Sequence, residues 1–404
     1  MRIGIFTDTY FPQISGVATS IRILKEELEQ KGHTVIIFTT TDPNAPDYEE
    51  NIVRFASVPF LSFKERRVAV AGLAKAYRIA RKYKLDIIHT QTEFSLGIMG
   101  KMLGMMLEIP TVHTYHTMYE NYIHYIADGK LVKPSHVAYV SKAFCNQTLG
   151  VIAPSQLTKD TLVNYGVNQP VYVVPTGVKI PPQQKEVAQA LRKQLGYTEE
   201  DIVLLSLSRL SKEKNIDELI TAMPDILSKE PKAKLCIVGG GPAKEDLEKQ
   251  VAELQLETVI QFAGEVDNTN VSNYYQMADL YINASHSESQ GLTYLEALVN
   301  HIPLIVKRND YLASLLTYPS LGMMFDDKHS LTDRIQTYLT SQFDEQKTQQ
   351  AREELLARIS SETFVEGALQ VYEDAIKAYH WKVENDGNLM RKVNILKLHK
   401  DEEE

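Results

Sequence analysis

Residues 2–7 form a nearly unbroken apolar run rich in Ile and Phe, which predicts a strand buried on both faces. A loop holding Pro12 and Gly16 follows. Val17, Ile21, Leu24 and Leu28 then recur at helical spacing, and Lys31-Gly32-His33 ends that helix. Residues 34–39 read as the next strand, completing a strand–helix–strand unit of a parallel sheet. Further strands are predicted at 85–90, 110–116, 150–155 and 171–178. The Pro-rich polar stretch KIPPQQK at 179–185 predicts a hinge. A second series begins beyond it, with strands in DIVLLSLSRL, AKLCIVGGGP, VIQFAGEV, ADLYINAS and IPLIVKR. The pattern predicts an α/β chain of two Rossmann-like domains, residues 1–178 and 186–365, followed by a helical segment and tail, 366–404, that can cross back to the first domain. Two such sheets facing across a cleft would gather the loops at the carboxyl ends of their strands.

Composition narrows the class. The 404 residues are 44% apolar and 24% charged, which excludes a disordered, collagen-like or disulfide-stapled chain. Cys145 and Cys236 lie far apart, so neither a disulfide framework nor a multi-cysteine zinc site is expected, and a reducing compartment fits. No run of 18 uncharged apolar residues occurs, so no bilayer-spanning helix is expected, and Asp8 comes too early for a secretory signal. The net charge of −9 is unevenly spread. Residues 1–175 hold 18 Lys/Arg against 15 Asp/Glu, a net of +3, and the remainder holds 25 against 37, a net of −12. Residues 51–85 carry 9 basic side chains and one acid, Glu65. Such a stretch is either the solvated face of a helix or a contact with an anionic surface.

Candidate chemistry is densest in ASHSESQGLTYLEAL, residues 284–298, which leaves an apolar strand and opens a helix. Glu288 and Glu296 are eight positions apart, about 12 Å if wholly helical. Gly291 allows a tight turn, and the amides of Leu292 and Thr293 would stand at a helix N-terminus able to bind an anion. Carboxylates on both sides of a phosphate site suit a sugar nucleotide; a surface helix with two routine glutamates fits as well. In SLSRLSKEKNIDELI, Arg209 ends a strand and Lys214 precedes a helix. Two cations there could neutralise a departing diphosphate, or could be plain surface charges. Gly16 closes the first strand-to-helix loop, where a phosphate or sugar could approach. GGGP at 239–242 lacks the third glycine of a dinucleotide fingerprint, since Lys244 stands there, and reads as a turn. No D-x-D triad is present, so no bound metal is expected; positive side chains and helix dipoles would serve instead.

Together these segments resemble the retaining glycosyltransferases of family 4, with the two-domain architecture called GT-B. MRIGIFTDTYFPQISGVATSI, KGHTV, SRLSKEKNID, VGGGP, FAGEV and SESQGLTYLEAL follow the family's order, with Asn215 where a glycine is usual. Within that family, HTQTEFSLG, TYHTMYENYIHY and SESQGLTYLEAL are similar to the bacterial glucosyltransferases acting on 1,2-diacylglycerol. The resemblance implies UDP-glucose as donor, a diacylglycerol acceptor and no cofactor. It implies that Arg209 and Lys214 hold the diphosphate, that Glu288 contacts the sugar, and that Gly291, Leu292 and Thr293 bind phosphate. It further implies that Glu296 holds the ribose, Gly16 lines the cleft, His116 sits beside the transferring sugar, and the backbone near Val266 meets the uracil. His89, His113 and His124 are left without a role.

Residues 64–83 read as one amphipathic helix, with Val70, Leu73, Ala74 and Tyr77 on one face. Arg66, Arg67, Lys75, Arg78, Arg81 and Lys82 dominate the rest. An outer helix packed on its sheet accounts for part of this; the lipid acceptor adds reversible docking to an anionic membrane, weakened by salt. The expected location is the cytoplasmic face of the cell membrane, with no nucleic-acid partner. The Met-rich run at 96–110 reads as a core helix, or as one wall of an acyl groove. Rival functions are transfer to another glycolipid or a polysaccharide, a sugar-nucleotide epimerase of the same fold, and a silent lipid-binding module.

Overall fold

Ile3, Ile5 and Phe6 have no solvent exposure, as a strand covered on both faces requires. The computed structural model describes residues 1–400 except 14, 47, 61–62, 117–132, 268–269 and 286–290, with side chains left out at 60, 63–66, 310, 328 and 386–400. Two units form, one of Met1–Pro175 with Phe364–Glu404, the other of Thr176–Thr363. The first contains β1 (Arg2–Phe6), α1 (Gly16–Gln30), β2 (Thr34–Thr40), β3 (Ile52–Phe55), β4 (Ser57–Phe60), β5 (Phe63–Ala69), α2 (Leu73–Tyr83), β6 (Ile87–Thr90), α3 (Ser95–Leu107), β7 (Thr111–Thr114), α4 (Pro134–Cys145), β8 (Val151–Ala153), α5 (Gln156–Asn164) and β9 (Val171–Val173). The second contains α6 (Lys185–Gln194), β10 (Ile202–Leu207), α7 (Ile216–Lys229), β11 (Ala233–Val238), α8 (Lys244–Glu253), β12 (Ile260–Gly264), α9 (Val271–Met277), β13 (Leu280–Asn283), α10 (Leu292–Val299), β14 (Leu304–Lys307), α11 (Asp310–Leu315), β15 (Gly322–Phe325), α12 (Lys328–Thr340) and α13 (Glu345–Ile359). The last helix, α14 (Ser361–Lys400), starts in the second unit and belongs to the first from Phe364 onward.

Among the described residues the first sheet is parallel with order β3-β2-β1-β6-β7-β8-β9, and the second with order β12-β11-β10-β13-β14-β15. Alternate residues of each strand feed two cores. In the first unit Ile3, Ile5, Val35 and Ile37 pack with Val365, Ala368, Val371 and Tyr372 of α14, while Phe6, Ile36 and Phe38 pack with Ala76 and Ala80 of α2 and Leu96, Met99 and Leu103 of α3. In the second, Val203, Leu205 and Tyr281 face one core, and Leu204, Leu280 and Ile282 face the other. The chain order reverses between β1 and β6 in one sheet and between β10 and β13 in the other, and crevices for ligands open at such points.

Three expectations change. Residues 64–83 are not one helix: β5 pairs antiparallel with β4, and α2 begins only at Leu73. Gly72 forces the break, with φ +131° and a position where a Cβ would lie 2.2 Å from the Phe55 ring. Arg66 and Arg67 are therefore strand residues, Val70 and Ala74 are exposed, and Ala76 and Ala80 are the buried face of α2. Gly16 heads α1 instead of lying in the loop, because the Ser15 hydroxyl accepts from the Ala18 amide at 3.1 Å and caps the helix one residue earlier. The Met-rich helix α3 is only half a core helix, since Met102, Met105 and Met106 face solvent. β3, β4, β5 and β15 had no counterpart in the apolar pattern.

Candidate active site

In the second unit the chain leaves β10 through Ser208 and Arg209 and leaves β13 through Ala284 and Ser285, the two strands that flank the reversal point. Arg209 is exposed; Lys214 ends a 3₁₀ turn, Lys212–Lys214, and is half-buried. Asn215 has φ 49° and ψ 41°, a left-handed backbone that asparagine tolerates. This explains its place where a glycine is usual. The Asn215 amide donates to the Ala284 carbonyl at 3.1 Å and the Ser285 hydroxyl to the Glu213 carbonyl at 3.3 Å, so the two loops are stitched together.

The glycines of GGGP support this loop from below. A Cβ on Gly239 would lie 2.0 Å from the Ser208 carbonyl, and one on Gly241 would lie 2.4 Å from that of Leu210. The Leu210 amide donates to the Gly240 carbonyl at 2.8 Å. The turn is thus built for close packing against the Arg209 loop.

Gly291, at φ +73°, begins α10 without a side-chain cap. The amides of Leu292 and Thr293 stand in its first turn, where a helix binds anions. Glu296, one turn on, is half-buried and accepts from the Tyr275 hydroxyl at 2.9 Å. Burial first, then the Glu296 charge, pushes the Tyr275 phenol far up, so it stays a donor. Below the loop, Asn283 accepts from the Ser285 amide at 2.7 Å and from the Tyr294 hydroxyl at 3.1 Å. Tyr275, Asn283 and Tyr294 escaped sequence reasoning; a polar Asn closing a buried strand was the available signal. Val266 follows β12 at the sheet edge and is partly buried. Glu288 and His124 lie outside the described residues, as does the side chain of Arg66.

In the first unit the reversal point holds a polar network, buried at His89, Gln91 and His113 and half-buried at His116. His116 donates from Nε2 to Gln91 Oε1 at 2.6 Å, because a carbonyl oxygen can only accept. The Gln91 amide nitrogen lies 3.1 Å from His89 Nε2. His89 Nδ1 is 2.7 Å from the Tyr372 hydroxyl on α14, and its Nε2 is 2.7 Å from Thr114 Oγ1. His113 Nε2 stands 3.2 Å from Glu93 Oε1. Burial, with the neighbouring His113, drops the His116 pKa to about 3, so the ring is neutral with its proton on Nε2. Asp8, after β1, accepts from Thr92 at 2.6 Å, from the Ser95 hydroxyl and from the Leu96 amide at 3.1 Å, capping α3 from another element. Burial raises its pKa against those donors. Gly16 is exposed at the head of α1.

The basic residues are unequal. Arg67 is held by β4, donating from Nε to Ser57 Oγ at 2.8 Å and from a terminal nitrogen to the Ser57 carbonyl at 2.7 Å. Lys75, Arg78, Arg81 and Lys82 are exposed on α2.

Residues 14–180 match the family model Glycosyltransferase Family 4, and residues 187–354 match Glycosyl transferases group 1. The chain is 46% identical to an alpha-monoglucosyldiacylglycerol synthase of Streptococcus pneumoniae over 93% of its own length and 86% of that protein. It is 34% identical to a protein of the same name from Acholeplasma laidlawii, over 83% and 87%. Its fold is similar to that of Anabaena HepE, solved in complex with UDP and glucose, with a TM-score of 0.71 at 18% identity, covering 92% of this chain and 99% of that one.

Proposed function

The chain belongs to glycosyltransferase family 4, and from that premise we propose that it transfers glucose from UDP-glucose to 1,2-diacylglycerol, retaining the α configuration, at an anionic membrane surface. The observation that carries the reading is the stitched pair of loops at the reversal point of the second sheet. They tie the segment carrying Arg209 and Lys214 to the end of β13, and Glu296 lies one helical turn into α10, which supports a donor site at this reversal point. The two synthases of that name, at 46% and 34% identity, supply the acceptor.

Arg209 and Lys214, with the amides after Gly291, stabilise the diphosphate as the glucose C1–O bond breaks. Glu296 accepts from the ribose hydroxyls, and Glu288 from the sugar. The acceptor hydroxyl attacks C1 on the face the phosphate leaves, and its proton passes to the departing phosphate oxygen. His116, neutral with Nε2–H held by Gln91, sits beside the sugar and orients a hydroxyl. The two cations do the work of a divalent ion, so a chelator leaves the rate unchanged. The exposed cations of α2 draw the enzyme to the inner membrane face.

The test incubates the protein with UDP-glucose or UDP-galactose, with and without diacylglycerol in anionic vesicles, and identifies products. An α-glucosyl lipid with UDP release is expected only when UDP-glucose and diacylglycerol are both present. A glycolipid from another acceptor, or interconversion of the nucleotide sugar without acceptor, would replace this reading. Glu288→Ala should abolish transfer with an unchanged circular dichroism spectrum; unaltered turnover removes Glu288 from the mechanism.

A further inference from the structure

The helix α3 is apolar on two sides. Its small residues face the sheet: a Cβ on Gly97 would lie 1.7 Å from the Thr92 carbonyl, one on Gly100 2.8 Å from the Phe6 ring, and one on Gly104 2.3 Å from Thr111 Oγ1. Leu96, Met99 and Leu103 are buried in the core beside them, but a second set of large apolar residues faces outward. Phe94 is 49% exposed, Ile98 50%, Met102 39%, Met105 71% and Met106 53%. Positions 94, 98, 102, 105 and 106 fall on one side of a helix, so these side chains form a single row. A row of this kind, exposed to solvent, marks a contact.

Its surroundings say with what. α2 packs beside α3 over the same core, and its outer side carries Lys75, Arg78, Arg81 and Lys82, all exposed. Neither helix contains an Asp or Glu. β5, with Arg67, lies along the other end of α3, where the Ala69 amide donates to Ser95 at 2.8 Å. An apolar row beside cations, with no acid in either helix, is complementary to a bilayer: the row enters the acyl boundary while the cations meet anionic head groups. Unbranched methionines adapt to disordered acyl chains better than to a shaped protein pocket.

We propose that the outer row of α3 inserts into the membrane and anchors the enzyme at its lipid acceptor, with α2 supplying only the electrostatic approach. This rests on the reading that the acceptor is a membrane lipid. It adds that apolar burial, not charge, holds the bound state.

Three vesicle measurements test it. In flotation with phosphatidylglycerol/phosphatidylcholine vesicles, Ile98→Gln/Met105→Gln should bind about tenfold more weakly at both low and high salt, as loss of an apolar contact requires. Neutralising Lys75, Arg78, Arg81 and Lys82 to Gln should remove only the salt-sensitive part of binding. A Met105→Trp reporter in a Trp381→Phe background should shift to the blue and be quenched by brominated acyl chains. Thermal melts establish that each variant is folded. Binding of the double Gln variant equal to wild type, or no acyl quenching, overturns the proposal while glucosylation of diacylglycerol stands. Vesicle binding and quenching without any glucolipid product would instead sink the acceptor reading and keep the anchor. If the wild type sediments as a dimer and the double variant as a monomer, a second copy occupies the row and the proposal fails.

Discussion

At the scale of residues, spacing singles out Glu296 as a candidate carboxylate, but its partner could not be read. Glu296 depends on Tyr275, which lies on α9, 21 positions earlier, and periodicity cannot show that contact. Tyr275→Phe should raise the KM for the nucleotide sugar several-fold with kcat nearly unchanged, since it loosens a binding group; Glu296→Ala should raise it by at least about tenfold, as loss of a charge-assisted contact does. Steady-state kinetics with varied donor decide this, and an effect on kcat alone would remove Glu296 from binding. His116 gives a pH prediction. Its folded pKa is depressed to about 3 from 6.5, and that of His89 is also depressed, by burial first in each case. The unfolded chain therefore binds more protons between about pH 3 and 6.5, and stability falls as pH drops through that window. His116→Gln should flatten the slope of urea-melt stability against pH there. The NMR tautomer signal of wild-type His116 should stay neutral Nε2–H at neutral pH, and Gln91→Glu should raise its pKa by charge pairing.

At the scale of elements, parallel strands buried on both faces were readable because they are short apolar runs, and α1 because its apolar residues follow one face. What could not be read is set by long-range sterics. α2 starts at Leu73 because Phe55 occupies the space beside Gly72, and nothing near position 72 in sequence reveals that ring. β4 and β5 mix Pro, Ser and Arg with Val, so their alternation is weak and their antiparallel pairing was invisible. α3 lacks a local cap, since Phe94 offers no acceptor, and its N-terminus is satisfied instead by Asp8, 88 positions before Leu96. That makes Asp8 a structural requirement of α3. Asp8→Ala leaves Thr92, Ser95 and the Leu96 amide without their acceptor and should cost about 2 kcal/mol, the sum of a lost cap and buried unpaired donors. Urea titration reads the loss, and hydrogen exchange should rise first in the opening turn of α3. A change below about 0.5 kcal/mol would mean that water replaces the carboxylate.

At the scale of the whole molecule, the charge split foreshadowed two halves, but the chain does not divide at one point. It enters the second unit at Thr176 and returns at Phe364. The returning helix is not an accessory: Phe364, Val365, Ala368, Val371, Tyr372 and Ala375 are buried with Ile3, Ile5, Ile21 and Val35, so the first core is made from both ends of the chain. It also reaches the polar network, since the Tyr372 hydroxyl meets His89, which lies against Gln91, the partner of His116. The first unit's stability must therefore depend on residues that follow the second in sequence. A chain ending at residue 363 should lose the cooperative unfolding of the first unit and keep that of the second, giving one calorimetric transition in place of the full chain's behaviour. Because that truncation is severe, Tyr372→Phe is the finer probe. It keeps the ring's packing and removes one buried hydrogen bond, which should cost about 1–2 kcal/mol. Exchange should accelerate in β1 and β6 with no change in β10 or β13. Equal acceleration in both sheets would show that α14 couples the two units instead of completing one, and the dependence of His116 on the C-terminal helix would then have to be sought in the chain as a whole.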